Sequence, residues 1–438
     1  MKRILFLLLM VLPFLANAQN TMYFMEGVPQ NTNYNPAFVP DAKFHLELPV
    51  LGGISTHAYN SGFTYNWLDD FIGSIGNEGY DPDEAVSKIG SHNHFFTEIQ
   101  ANLFSFGVKL KDQGYLTLAA TMNSSSEMSV ASDIVYLLAD INDISSDDLP
   151  LVVEGIDFLT NNYLSLGVTY SRAITDQLTL GITPHLNFNF IGIQTKDVSL
   201  TVDEEEATGG DTDITTDLEG EVKLGLPTEL NPDAVVGNEL DLEEDFLPDG
   251  WVTDLRFSDF LQNPSISFDI GATYELNEWM FSASILNIGA SGWKTNGYIL
   301  SGEGEIVEVQ ENQKVKLGIP SKIFVGAKRQ FNPKWNYALL LRNDFYKAKS
   351  NASATLSLNG TVGKWLSTSV SYTAGYKFNN IGLGLRMRFL PGTDLFMVTD
   401  NLFQSFAPRD AHRMTAAVGV NLIFGQEYPF AQGTITDQ

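Results

Sequence analysis

Few residues in this sequence could do chemistry, and most lack the neighbours that chemistry needs. His92-Asn93-His94 sets two imidazoles two positions apart. Zinc is held by three or four protein ligands, and nothing beside this pair supplies the rest, so two histidines in a polar loop is the plainer reading. The run Asp203-Glu204-Glu205-Glu206 and the stretch Asp241 to Asp245 could attract a divalent cation. Neither spaces its oxygens as a calcium-binding loop does, and a solvated acidic surface accounts for both. Acyl transfer would need serine, histidine and acid brought together, and His185 and His412 have no convincing partners by sequence. The chain has no G-x-S-x-G, Walker or G-x-G-x-x-G motif and no cysteine, which removes disulfides, iron–sulfur clusters and cysteine-based zinc sites. The expectation is no catalytic residue, no metal and no cofactor: the chain does not read as an enzyme.

The N-terminus speaks to compartment. Met1-Lys2-Arg3 is a short basic start, Ile4 to Leu15 is apolar, and Ala16-Asn17-Ala18 offers small residues for cleavage before Gln19. This is the layout of a secretory signal peptide, expected over residues 1–18. With Pro13 inside it, the apolar stretch is too short to cross a hydrocarbon core of ~30 Å. No later run is long and apolar enough to do so as a helix. A closed sheet, whose backbone groups pair between strands, is the remaining way to span a membrane.

The net charge of −27 argues against nucleic acid as a partner. It is also concentrated. Residues 197–259 hold 20 acidic side chains against two basic ones, Lys223 and Arg256, hence 18 of the 27 excess negative charges. That segment reads as one acidic external loop leaving a less charged scaffold.

The scaffold must then be built from strands, and the alternation supplies them. Leu178, Leu180, Ile182, Pro184, Leu186, Phe188 and Phe190 share one face, with Thr179, Gly181, Thr183, His185, Asn187 and Asn189 on the other. The same period of two recurs at 265–276, 366–377, 381–389 and 414–424, and more weakly at 54–66, 97–110, 115–123, 163–172, 279–287, 321–329, 335–345, 352–360 and 394–400. One face is apolar. The other is rich in Gly, Ser, Thr and Asn, and carries the charges of Asp269, Glu275, Arg386 and Arg388. A wet lumen suits such a face better than the surface of a soluble sandwich. With His185, these four are the expected lumen-lining residues.

Short turns fall at Lys111–Gly114, Thr175–Gln177, Asn277-Glu278, Asn332–Lys334 and Gly360–Lys364, with long connections expected at 124–161, 195–264 and 288–320. Outer-membrane barrels keep short turns on the periplasmic side and long loops outside. Trp279, Trp335 and Trp365 each follow a short turn, as a periplasmic aromatic girdle would. The segments number roughly 13 to 16, and 14 is the even count expected when both chain ends are periplasmic. The expected class is all-β: one transmembrane antiparallel up-and-down barrel over 44–425, preceded by an N-terminal segment 19–43 and followed by a periplasmic tail 426–438.

Several stretches look familiar together: Tyr23-Phe24-Met25-Glu26-Gly27-Val28-Pro29-Gln30, Asn35-Pro36-Ala37-Phe38, Ile285-Leu286-Asn287-Ile288-Gly289, Thr399-Asp400-Asn401-Leu402 and Gly419-Val420-Asn421-Leu422-Ile423-Phe424-Gly425. They resemble an uncharacterised outer-membrane barrel family of the Bacteroidota, similar in build to long-chain fatty acid transporter barrels and to barrel components of the type IX secretion system. In the transporters, an Asn-Pro-Ala box belongs to an N-terminal segment folded into the barrel. The resemblance implies that Asn35, Pro36 and Ala37 fix a turn inside the lumen. Residue types alone leave a second reading, an ordinary Asn-Pro turn leading into the first strand. Two functions remain open: a channel or transporter for a small, apolar solute, and a structural or assembly partner in an envelope complex. The expected partners are outer-membrane lipid and envelope proteins; the solute is unnamed.

Overall fold

The computed structural model describes residues 19–47, 53–62, 89–111, 114–132, 150–206, 212–236, 258–303, 306–346, 350–363, 365–375 and 380–425, with isolated positions between them. The expected signal peptide 1–18, the tail 426–438 and Asp241 to Asp245 lie outside the described residues.

Fourteen antiparallel strands close into one barrel. The first, β1, comes in two pieces, Phe44–Glu47 and Ile54–Asn60. It is followed by β2 (His92–Lys109), β3 (Gly114–Ala131), β4 (Asp157–Ala173), β5 (Leu178–Glu206), β6 (Pro264–Leu276) and β7 (Trp279–Trp293). The second half is β8 (Ser321–Asn332), β9 (Trp335–Phe345), β10 (Ser350–Val362), β11 (Leu366–Gly375), β12 (Asn380–Leu390), β13 (Thr393–Thr399) and β14 (Arg413–Phe424). Each strand pairs with the next, and both pieces of β1 pair with β14, so the barrel has no open edge.

The alternation fixes which face is which. On β5 and β6, Leu180, Ile182, Leu186, Ile266, Phe268, Ile270 and Tyr274 are exposed on the outside, while Thr183, Asn187, Ser267, Asp269 and Thr273 are buried inside. A one-residue slip would turn every one of these side chains to the wrong medium, so the register is strongly specified. The tight turn between β6 and β7 places Asn277 at φ 53°, a left-handed position that asparagine tolerates. Asn287, at φ 60°, sits on β7 opposite a register shift between Phe268 and Ile270 of β6, which is a bulge.

The long connections are shorter than the sequence reading expects. Opposite the short turns, β3, β4 and β5 run on past the expected strand ends. The acidic segment 197–259 is not a bare loop throughout: β5 continues to Glu206 and pairs with Thr212–Gly225 in an acidic hairpin. The reason lies in a second alternation, with Val198 and Val202 buried, Val202 against Ala131 and Val153. Thr212–Gly225 also pairs with Gly297–Glu303, which pairs with Ile306–Gln310. This outer sheet covers a small core of Leu226, Leu230, Leu240, Tyr298, Val307 and Val309. At its root the ring of buried Trp293 lies across Gly192 and Gly225, which are register partners, and packs with Leu159, Val315 and Leu317.

Candidate functional site

The inward face of the barrel is occupied by the chain's own N-terminal segment. A helical turn, Gln19–Met22, opens it, and a 3-10 turn, Pro29–Asn33, follows. Asp400, at the end of β13, receives the turn: its carboxylate accepts the backbone N–H of Asn20 (3.1 Å) and Thr21 (2.8 Å) and the Thr21 hydroxyl. The Thr21 hydroxyl also meets Ser371 of β11 at 2.7 Å. Further along, Gln30 and Asn421 of β14 exchange amide hydrogen bonds of 2.6 and 3.0 Å. Asn336 of β9 donates to Glu26 at 2.9 Å, and Ser284 of β7 donates to the Tyr34 carbonyl at 2.6 Å. Residues 19–43 thus hold strands from around the ring.

Asn35, Pro36 and Ala37 sit against β5 and β6. Asn35 Oδ1 accepts the Ala37 N–H (2.9 Å), which closes the turn, while Nδ2 donates to the carbonyls of Ala272 (3.4 Å) and Ala283 (3.3 Å). Ser171 donates to the Pro36 carbonyl at 2.5 Å. Two glycines make the space. A Cβ at Gly181 would lie 2.1 Å from the Pro36 carbonyl, and one at Gly271 2.0 Å from Asn35 Oδ1. Gly181 and Gly271 are register partners, so they form one notch.

Part of the lumen is apolar, beside the Gly-, Ser-, Thr- and Asn-rich face that the sequence leads one to expect. Met22, Tyr23, Phe24, Met25, Val28 and Tyr34 pack on Leu286, Phe324, Ala338, Leu340, Phe396, Val398 and Ala417. Tyr23 stacks on Phe324 at 5.3 Å. The sequence carried a weak signal of this, since Ala338 and Leu340 are apolar on the polar parity of β9. Asp400 and the glycine notch were not singled out either, although Asp400 lies in the Thr399-Asp400-Asn401-Leu402 stretch.

Space remains on both sides of the segment. Toward the short turns lies a cavity of about 560 Å³, bordered by Phe24, Met25, Val28, Phe38 and Met280 and by Glu275, Lys328, Arg386 and Arg388. On the other side a polar cavity of about 80 Å³ is bordered by Gln19, Tyr34, Glu98, His185, Asp269 and Lys322.

The expected lumen residues divide between the two. His185 and Asp269 face the small cavity, bonded Nε2 to Oδ2 at 2.8 Å. Ser165 meets His185 Nδ1 at 3.0 Å, and Asp269 Oδ1 accepts the Asn287 N–H of the bulge at 2.7 Å. His185 therefore has a serine and an acid beside it that sequence reasoning did not find. The cavity in front of it, about 80 Å³, has room for water, and through Asp269 the group braces the bulge. Glu275 lies at the rim of the large cavity. Arg386 and Arg388 both bind the buried Asp394, Arg386 Nε to Oδ2 at 2.9 Å and Arg388 Nε to Oδ1 at 2.8 Å, so they form an ion-paired cluster of two guanidiniums on one carboxylate rather than bare cations. Among the described residues no group of three or more His, Asp or Glu could hold a metal.

The three tryptophans part company. Trp279 lies on the outward parity of β7, stacked on Phe281 (6.0 Å) and edge-on to Tyr337 (6.2 Å), with the Arg329 guanidinium 5.6 Å from its ring centroid. Trp335 lies on the outward parity of β9, with its ring over Gly360. Trp365 shares the inward parity of Ser367 and borders the large cavity.

A model of a family of unknown function, DUF5723, matches residues 36–314 and 303–400. No curated protein matches the sequence. Among solved structures, the toluene transporter TbuX of Ralstonia pickettii is similar at a TM-score of 0.47 and 9% identity, covering 94% of this chain and 99% of that one. A FadL homologue of Pseudomonas aeruginosa is similar at 0.46 and 9%, covering 93% and 97%. The toluene transporter TodX of Pseudomonas putida is similar at 0.42 and 10%, covering 93% and 95%.

Proposed function

The chain belongs to the DUF5723 family of unknown function, and from the lumen of its barrel we propose that it is an outer-membrane channel for a small apolar or amphipathic solute, gated by residues 19–43. In this reading residues 1–18 are removed on export, the short turns face the periplasm, and the acidic hairpin stands outside the cell. Trp279 and Trp335, beside the short turns on the outer face, sit at the lipid headgroups of the periplasmic side.

One observation carries the proposal: a partition made of separable chain, with unfilled space on both of its sides. The larger space, about 560 Å³, is walled by Phe24, Met25, Val28, Phe38 and Met280 and rimmed by Glu275 and Lys328. Pockets that hold small molecules share this character, mostly apolar with a few polar groups. The partition is held by hydrogen bonds and packing, with no covalent tie beyond the chain itself, so it can leave without opening the wall. Deletion of residues 21–40 tests this. The truncated barrel should still be heat-modifiable on gels and should conduct in planar bilayers where the full chain does not. A folded but silent deletion overturns the channel reading.

The assembly reading draws support from the outer sheet. An acidic hairpin, formed where Leu178–Glu206 pairs with Thr212–Gly225 and joined to a second hairpin, offers a surface to a basic envelope protein. A stoichiometric partner co-purified in mild detergent and lost on shortening this hairpin would favour it.

A further inference from the structure

The first described residues are also among the most deeply buried. Gln19 and Asn20 are each 2% exposed, Thr21 is 0% and Met22 is 1%. If the signal peptide is cut after Ala18, a new α-amino group is created at Gln19 and carried into the lumen. Such an amine is a cation near neutral pH, and burying an unpaired cation is costly.

Among the described residues, the carboxylates around it are already engaged. Arg342 clasps Asp344 through Nε–Oδ1 (2.8 Å) and Nη2–Oδ2 (2.6 Å), and its Nη1 donates to Asn20 Oδ1 at 3.2 Å. Lys322 pairs with Glu98 on the cavity that Gln19 borders. Arg413 is buried, and its charge bears on His57 together with those of Arg342 and Lys322. Asp400 is committed to the N–H groups of Asn20 and Thr21. Asp269, on the same cavity, is bonded to His185 and to the Asn287 N–H. A further buried cation would have to compete for carboxylates that already have partners.

Gln19 has the chemistry to avoid this. We propose that the mature chain begins at Gln19 and that this residue is cyclised to pyroglutamate, so that the lumen receives a neutral N-terminus. The α-nitrogen attacks Cδ of its own side chain, the N–Cδ bond forms, the Cδ–Nε2 bond breaks, and ammonia leaves with a proton from the α-nitrogen. No oxidant or reductant enters. Cyclisation precedes burial, while the cleaved chain is still unfolded. It spares the Gln19 carbonyl, which accepts the Tyr23 N–H at 3.1 Å. It also discards the side-chain NH2 as ammonia, while Oε1, a buried oxygen that makes no hydrogen bond among the described residues, stays as the lactam carbonyl. The lactam keeps one N–H, suited to Glu98 Oε2, a buried oxygen of the same cavity that makes no hydrogen bond among the described residues.

The proposal rests on the reading of residues 1–18 as a removed leader, and the test separates the two. Protein purified from outer membranes is denatured, its amines are dimethylated before digestion, and its first peptide is read by tandem mass spectrometry. The expected peptide begins at Gln19, is lighter by one ammonia and carries no label at its N-terminus. A labelled Gln19 overturns the cyclisation and leaves the leader intact; a different first residue overturns both. The variant Gln19→Ala, which cannot cyclise, should lose its folded gel form at a lower temperature than the parent at neutral pH. It should recover at a pH where the amine is uncharged. Equal transition temperatures at both pH values overturn the role assigned to charge.

Discussion

Gly181 and Gly271 face each other across one ladder, and the side chains they lack are what admits Pro36 and Asn35 to the wall. Gly181→Val should therefore expel the turn while leaving strand pairing intact, because β-branched residues suit strands. Its expected signature is raised bilayer conductance with unchanged heat-modifiability; a silent, folded G181V would show that the notch is not needed for closure. Asp400 works at the other end of the segment. Asp400→Ala removes a buried carboxylate that takes hydrogen bonds from Asn20 and Thr21, and bonds to charged groups contribute about 1.5–3 kcal/mol each. The unfolding free energy in detergent should fall by about that much, and the N-terminal peptide should exchange its amides faster. The Arg386–Asp394–Arg388 cluster responds differently. Losing both arginines leaves Asp394 buried and unpaired, so Arg386→Ser with Arg388→Ser should destabilise the barrel and turn an opened pore toward cations. Adding Asp394→Ser should restore the stability. Failure of that rescue would mean that the arginines act through other contacts.

At the scale of the strand, β5 carries its two faces into two media. Arginine at Ile182, on the outer face, should cost about 2–4 kcal/mol if the position lies near the bilayer midplane. Cysteine at Asn187, on the inner face, should stay unreactive to water-soluble maleimides in the full chain and become reactive once residues 21–40 are deleted. Labelling in both forms would mean that the lumen is already open. The faces of this strand were legible in the sequence because period two reports the side of each residue directly. What fills the inside was not, because alternation is blind to a partner that arrives from elsewhere in the chain. The inward glycines and serines read as a wetted wall, yet Gly181, Gly271, Ser171 and Ser284 are the seat of residues 34–37. His185 looked isolated for the same reason, since Ser165 and Asp269 reach it only through the strand register. The expected loops failed on a local ground: charge density hid the Val198, Leu200 and Val202 alternation that makes the acidic segment a strand. Trp293→Ala tests how that outer sheet is attached. Losing a buried tryptophan costs about 3–5 kcal/mol, and external protease should then cut within the outer sheet while the barrel survives.

At the scale of the whole molecule, the ring closes where β14 meets both pieces of β1, and its contents come from the residues just before β1. The hydrogen bond from Asn20 to Asp400 spans 380 positions, and the pair Gln30–Asn421 spans 391. Contacts so distant along the chain are slow to form, because the loop-closure entropy is lost before the contact rewards it. The segment that fills the bore is synthesised first and the strand that seals it last. A wall completed early would leave its own filling outside, to be threaded afterwards through the end of the bore. Refolding into detergent should then divide into two populations, one that wrapped its leading segment and one that closed empty, with only slow threading between them. In the cell, the order of events becomes part of the fold: the chain must hold its beginning in place while it waits for its end.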